Sequence, residues 1–197
     1  MSQSQNTVIE ILKTLALSGV LAVGVRQFVA EARYIPSESM LPTLEIDDRL
    51  MIEKLTYRFR EPKRGEIIVF IPPNEAILCN PQQSLPITDA YIKRIIGLPG
   101  DEIEIRDSQV YVNGKLLDED YIHGSPLYEQ EPTIIPADSY FVLGDNRNNS
   151  CDSHVWGFVP ASNIIGRAAL RFLPFNRIGN LPETVHFSEE QQETSDN

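Results

Sequence analysis

A run of 21 residues, 9–29, divides this chain before any other feature is weighed. It reads Ile-Glu-Ile-Leu-Lys-Thr-Leu-Ala-Leu-Ser-Gly-Val-Leu-Ala-Val-Gly-Val-Arg-Gln-Phe-Val. A helix needs ~20 largely apolar residues to cross a bilayer. The uncharged centre, residues 14–25, is shorter than ideal, and Lys13 and Arg26 stand where long basic side chains reach the headgroups. The expectation is one transmembrane anchor over 9–29, preceded by a short tail over 1–8, with the lipid bilayer as partner. A helix lying on a surface needs a polar face, and residues 15–25 offer little of one. The other reading is a cleaved leader, because Ala30-Glu31-Ala32 has the small-x-small form of such sites. Against it stand a nearly uncharged start and an arginine just after the apolar core.

The chain beyond residue 29 has to fold by itself. Fourteen prolines argue against a helical bundle and for short, interrupted elements. Residues 49–53, 66–71 and 90–96 are β-rich runs bounded by Asp, Gly and Pro. Leu98-Pro99-Gly100-Asp101 has proline then glycine at its two central positions, the pattern of a type II turn. Residues 102–106 alternate charge with isoleucine, as a half-exposed strand does. The strongest local signal is Asn113-Gly114 with apolar runs on both sides, which predicts a tight hairpin. Residues 139–143 and 166–172 add two more strands, and residues 72–89, rich in Pro, Gln and Asn, read as a long surface loop. The expected fold is mainly β, a folded antiparallel sheet or barrel-like domain over 30–180 with few helices.

The hydrophobic content of 42% supports a core, and the net charge of −11 argues against a nucleic-acid partner, whose phosphates call for lysine and arginine. Glu183, Glu189, Glu190, Glu193 and Asp196 follow Arg177 with no basic residue among them, so residues 181–197 are expected as an acidic, disordered tail. Cys79 and Cys151 fit no metal spacing, and both a disulfide and two free thiols are open. No histidine–cysteine cluster suggests zinc, so neither metal nor cofactor is expected.

Three polar clusters carry the chemistry. Ser39 sits in Pro36-Ser37-Glu38-Ser39-Met40-Leu41-Pro42-Thr43, about ten residues past the apolar run. Fully extended, ten residues span at most ~35 Å, which keeps Ser39 near the membrane. Lys93 sits in Tyr91-Ile92-Lys93-Arg94, and the third cluster runs Gly144-Asp145-Asn146-Arg147-Asn148-Asn149-Ser150-Cys151-Asp152-Ser153. A serine hydroxyl is a weak nucleophile without a nearby base, and none of the three histidines lies in a recognisable triad motif. A lysine serves if burial removes its proton. On a strand over 90–96, Tyr91, Lys93 and Ile95 share one face, so an apolar setting for the amine follows from alternation. Lowering its pKa by about 2 units costs ~3 kcal/mol. Taken singly, Ser-x-Ser-Met reads as a polar loop and Lys93 as a lysine snorkelling from a strand edge.

In this order and spacing, the three clusters resemble the type I signal peptidases, the membrane-bound leader peptidases of bacteria. The resemblance runs from the apolar segment to about Phe172. It implies Ser39 as nucleophile and Lys93 as general base. Ser150 would orient the lysine by a hydrogen bond. The Ser37 hydroxyl would join the Ser39 backbone N–H in an oxyanion hole, and Asp145, Arg147 and Asp152 would hold the third loop. It further implies a single-pass protein of the plasma or thylakoid membrane, with its N-terminus cytoplasmic and its catalytic domain on the outer face. Its substrates would be signal peptides of exported preproteins, cut after small residues at −3 and −1. Charge alone points weakly to the opposite orientation, with Lys13 on one side and Arg26 and Arg33 on the other. The sequence leaves the family pattern at His154, where an arginine usually follows Asp-Ser. Among other serine–lysine enzymes, the β-lactamase type needs Ser-x-x-Lys, which is absent. A self-cleaving repressor would carry a DNA-binding domain in place of the anchor. The remaining alternative is a catalytically inactive, membrane-anchored peptide-binding module of the same fold.

Overall fold

The computed structural model describes residues 2–182 and 185–188. Helix α1 (Ser2–Phe28) precedes the β domain and touches it near its C-terminal end, through Arg26 and Phe28. Its stretch Thr7–Phe28 is long and apolar enough to cross a membrane, and none of it is buried by the protein. The side chains from Val8 to Phe28 that are large and apolar are exposed, an arrangement that water disfavours and lipid accommodates.

Among the described residues, thirteen strands come after the helix. They are β1 (Ala30–Tyr34), β2 (Arg49–Glu53), β3 (Ile67–Phe70), β4 (Tyr91–Gly97), β5 (Glu102–Arg106), β6 (Gln109–Val112) and β7 (Lys115–Asp118). Next are β8 (Gln130–Ile134), β9 (Ser139–Leu143), β10 (Val159–Pro160), β11 (Ile164–Leu173), β12 (Gly179–Asn180) and β13 (His186–Phe187). The larger sheet runs β1-β2-β11-β3-β4-β9-β10, with β12 also on β11, and the smaller one β13-β7-β6-β5-β8. Every pairing is antiparallel. The domain is thus mainly β, as expected, and the expected strands lie within two residues of observed ones. The predicted turns hold as well. Gly100 has φ +84° and the Asp101 N–H donates to Leu98 O, while Asn113 and Gly114, with φ of 54° and 73°, join β6 to β7.

Three differences have physical causes. Residues 30–34, for which the sequence predicts no strand, form an edge strand; Ala-Glu-Ala-Arg-Tyr has little β character, and only pairing with β2 extends it. Strand β8 contains Pro132, which argues against a strand in sequence, but β8 is an edge strand where a missing N–H is tolerated. The fold also runs past residue 180. Leu181 is buried in the core beside β2 and β11, and β13 pairs with β7, because an acidic stretch with scattered apolar residues finds a preformed surface. The remainder of the expected tail, residues 183, 184 and 189–197, lies outside the described residues.

Three apolar clusters hold the sheets. One joins Ile35, Met40 and Leu44 to Leu50, Ile52, Ile67 and Ala168. A second gathers Ile68, Phe70, Ile95, Val142 and Trp156, and a third lies under the smaller sheet around Ile103, Val112 and Phe141. The segment 72–89 is less loop-like than its composition suggests. It contains the 3-10 helix Asn74–Cys79, buries Ala76 and Ile87, and is tied down by a Cys79–Cys151 disulfide with Cα atoms 6.1 Å apart.

Candidate active site

Ser39 lies in the connection between β1 and β2. The side chains of Met40 and Leu44 are fully buried in the first cluster, and the Leu44 N–H donates to Met40 O, so the turn is pinned from below. Ser39 itself is 8% exposed. Its carbonyl accepts from the Asn146 N–H at 3.1 Å, and the Asn146 side-chain amide donates to Glu38 O at 3.1 Å. Both contacts fasten the Ser39 turn to the 144–153 loop.

Lys93 comes from β4, opposite Ile68 on β3. Alternation does what the sequence predicts. The Lys93 ammonium lies 5.9 Å from the centre of the Tyr91 ring, and Tyr91 and Ile95 join the second cluster. The lysine is 4% exposed, and its Nζ donates to Ser39 Oγ at 2.7 Å. Burial lowers the Lys93 pKa from 10.5 to about 8; Asp152 and Asp145 pull weakly the other way.

The 144–153 loop is anchored by partners the sequence did not reveal. Arg94, next to Lys93 but on the opposite face of β4, is fully buried. It grips Asp145 with two bonds, Nε–Oδ1 at 2.8 Å and Nη2–Oδ2 at 2.6 Å, while Thr43 Oγ1 donates to Oδ2 at 2.5 Å. Arg147 is buried and held in two-pronged fashion by Glu119, which raises its pKa further. Asp152 accepts from the Gly144 N–H at 2.9 Å and contacts His154 Nδ1 at 2.7 Å. His154 also stacks on Tyr128, centroids 3.8 Å apart. So Asp145, Arg147 and Asp152 all bond within or across this loop. The available signal for Arg94 and Glu119 was weak: a second cation inside an apolar strand, and a carboxylate in a polar segment.

The remaining expected residues stand close by. Ser37 Oγ is 3.4 Å from Ser39 Oγ. Ser150 is adjacent, because a Cβ on Gly144 would overlap both Ser150 Oγ and Ser39 O. The absence of a side chain at 144 is therefore what lets the turn and the loop approach. Ser150 Oγ is buried but makes no hydrogen bond among the described residues, so the expected bond to Lys93 is not formed here; the Lys93 amine points to Ser39 instead. No group of three or more His, Cys, Asp or Glu side chains among the described residues could hold a metal.

Ser39 and Lys93 open into a cleft of about 640 Å³. One wall is residues 33–37, the other 89–92, and Cys79, Asn80, Asn149 and Cys151 close the end. Both walls continue β-strands, one of them the sheet edge β1. Such a cleft can take an extended peptide and present its carbonyl to a hydroxyl beside an amine whose pKa is lowered by burial.

Similarity to known proteins agrees with this geometry. Signal peptidase I of Leptolyngbya laminosa is 55% identical over 91% of this chain and 86% of its own length. Probable signal peptidase I-2 of Synechocystis sp. is 56% identical over 92% of this chain and 81% of its own. Thylakoidal processing peptidase 1, chloroplastic, of Arabidopsis thaliana is 42% identical over 79% of this chain and 45% of its own. Residues 8–173 match the family described as Signal peptidase, peptidase S26, a span that takes in most of α1 and nearly all of the larger sheet. The chain therefore belongs to the signal peptidase I family of serine endopeptidases, peptidase S26.

Proposed function

We propose that this protein is anchored by α1 in the plasma or thylakoid membrane, N-terminus cytoplasmic, and removes signal peptides from exported preproteins on the outer face. The 2.7 Å contact between the buried Lys93 amine and Ser39 Oγ carries the reading. An amine with a pKa of about 8 has an appreciable neutral fraction near neutral pH. Neutral Lys93 takes the Ser39 proton as Oγ attacks the scissile carbonyl. The Ser39 N–H and the Ser37 hydroxyl face the oxyanion, each such donor being worth roughly 3 kcal/mol in the transition state. The lysine then gives its proton to the leaving amine, and water, deprotonated by the same lysine, releases the acyl group. Ser150, buried beside Ser39 with an unused hydroxyl, receives the ammonium once Lys93 turns from Ser39. In an extended chain the side chains at −3 and −1 point to the same face, so the two small residues would meet one wall of the cleft together.

The test is cleavage of a preprotein by the detergent-solubilised chain, with the product mapped by mass. Ser39→Ala and Lys93→Ala should each lower turnover to background while the domain stays folded. The double variant should be little worse than either single one, since the pair acts as a unit. Substantial turnover by Lys93→Ala at pH 8 would remove lysine as the base, and a folded wild-type chain that binds preprotein without cutting it would leave the binding-module alternative.

A further inference from the structure

Two cavities are lined by successive residues of β1, one by 30–32 and the other by 33 and 34. The active-site cleft begins at Arg33 and Tyr34 and runs to Ser39. At the preceding residues of the same strand, a crease of about 750 Å³ opens between α1 and β1, walled by Ser18, Leu21, Ala22 and Val25 on the helix and Ala30 and Ala32 on the strand. Only Val29 separates helix from strand, and the junction is clamped. The Lys54 N–H donates to Val29 O at 2.9 Å, and Lys54 Nζ bonds Arg26 O at 3.1 Å and Glu31 Oε2 at 2.8 Å. The Arg58 guanidinium sits 5.4 Å over the Phe28 ring. Because Lys54 and Arg33 both engage Glu31, the crease offers no bare carboxylate to an apolar occupant. On the helix wall Ser18 and Ala22 stand one turn apart, a spacing of small side chains that lets a second helix approach closely in lipid.

A signal peptide has a 7–15-residue apolar segment shortly before its small-x-small cleavage site. If the cleavage site lies extended in the cleft, the residues preceding it leave near Arg33, at the start of the crease. The chain's own course, apolar helix then strand then Ser39, has the same order. We propose that the crease between α1 and β1 receives the apolar helical segment of the preprotein's signal peptide. The anchor is then part of the substrate-binding surface as well as a tether. This rests on the function proposed above.

The experiment compares two substrates on the full chain reconstituted in phosphatidylglycerol-containing vesicles. One is a preprotein with its whole signal peptide, and the other a short peptide bearing only the cleavage site. Ala22→Phe, which fills the crease, should lower the preprotein-to-peptide ratio of kcat/KM at least fivefold, through KM. Val23→Phe, at an exposed position outside the crease, should leave the ratio unchanged. Independently, Ala22→Cys carrying a benzophenone in the Ser39→Ala background should give a photoadduct with the mass of the preprotein. This small substitution covers the case in which phenylalanine disturbs insertion. An unchanged ratio, an equal loss on both substrates, or adducts with lipid alone would each overturn the inference. A wild-type chain that cuts neither substrate would instead overturn the proposed function beneath it.

Discussion

Lys93 shows what a single residue costs and supplies. Burial holds its pKa near 8, against 10.5 for the free side chain. Between those values the unfolded chain binds a proton that the folded chain does not, so folding stability rises with pH across that window. Below about pH 8 the full cost is present, roughly 3 kcal/mol for a shift of about 2.5 units. Lys93→Met, similar in length and without a charge, should therefore raise stability in denaturant unfolding at pH 7 by up to ~3 kcal/mol, and the advantage should shrink by pH 9.5. A gain independent of pH would mean that packing, not the ammonium, is responsible. On the proposed mechanism, catalysis draws on the same equilibrium in the same direction: kcat/KM should climb through about pH 8 as the base loses its proton, so the burial that costs stability is what would make the amine useful.

At the scale of the element, β4 carries two cations on opposite faces with opposite tasks. Lys93 faces the cleft and meets a hydroxyl; Arg94 faces the core and meets a carboxylate. Arg94 also donates to Gly65 O at 2.9 Å and Pro182 O at 2.7 Å, so one side chain links β4, the 144–153 loop and the segment after β12. Removing it leaves Asp145, which is not exposed at all, as an uncompensated charge. Arg94→Met should destabilise the domain by roughly 3–5 kcal/mol in denaturant unfolding, and Arg94→Met with Asp145→Leu should recover a large part of that loss. If the single variant costs no more than a surface ion pair, the network is not what holds the loop. Elements at the edges behave differently. β1 and β8 have sequences that do not ask for a strand, and exist because a neighbour offers its free backbone groups.

For the whole molecule the question is how segments far apart in sequence are held around one cleft. The Cys79–Cys151 bridge closes a loop of 72 residues and joins the segment 72–89 to the residue after Ser150. A loop of that length removes considerable freedom from the unfolded chain, and cross-links of this kind stabilise by about 2–4 kcal/mol. Cys79→Ser should lower unfolding stability by that amount. Because both cysteines line the cleft, it should also raise KM for a short peptide more than it lowers kcat. An unchanged KM would confine the bridge to stability.

The anchor-length helix, the Asn113-Gly114 hairpin, the Pro99-Gly100 turn and most central strands were legible in the sequence, because each rests on periodicity or on φ preferences within a few residues. So were the three clusters that carry Ser39, Lys93 and the 144–153 loop, and the face of β4 on which Lys93 lies. Other features depended on contacts between distant segments. The pairing of the cysteines, the strand nature of residues 30–34, the burial of Leu181, and the partners Thr43 and Asn146 have no local signature, and Arg94 and Glu119 have only a weak one. The 2.7 Å approach of Lys93 to Ser39 belongs with them. It needs Met40 and Leu44 buried beneath one turn, β4 paired with β3, and a glycine at 144 to admit Ser150. Local physics sets which conformations a short segment prefers, whereas the pKa of a lysine is set by how much water the rest of the molecule excludes from it.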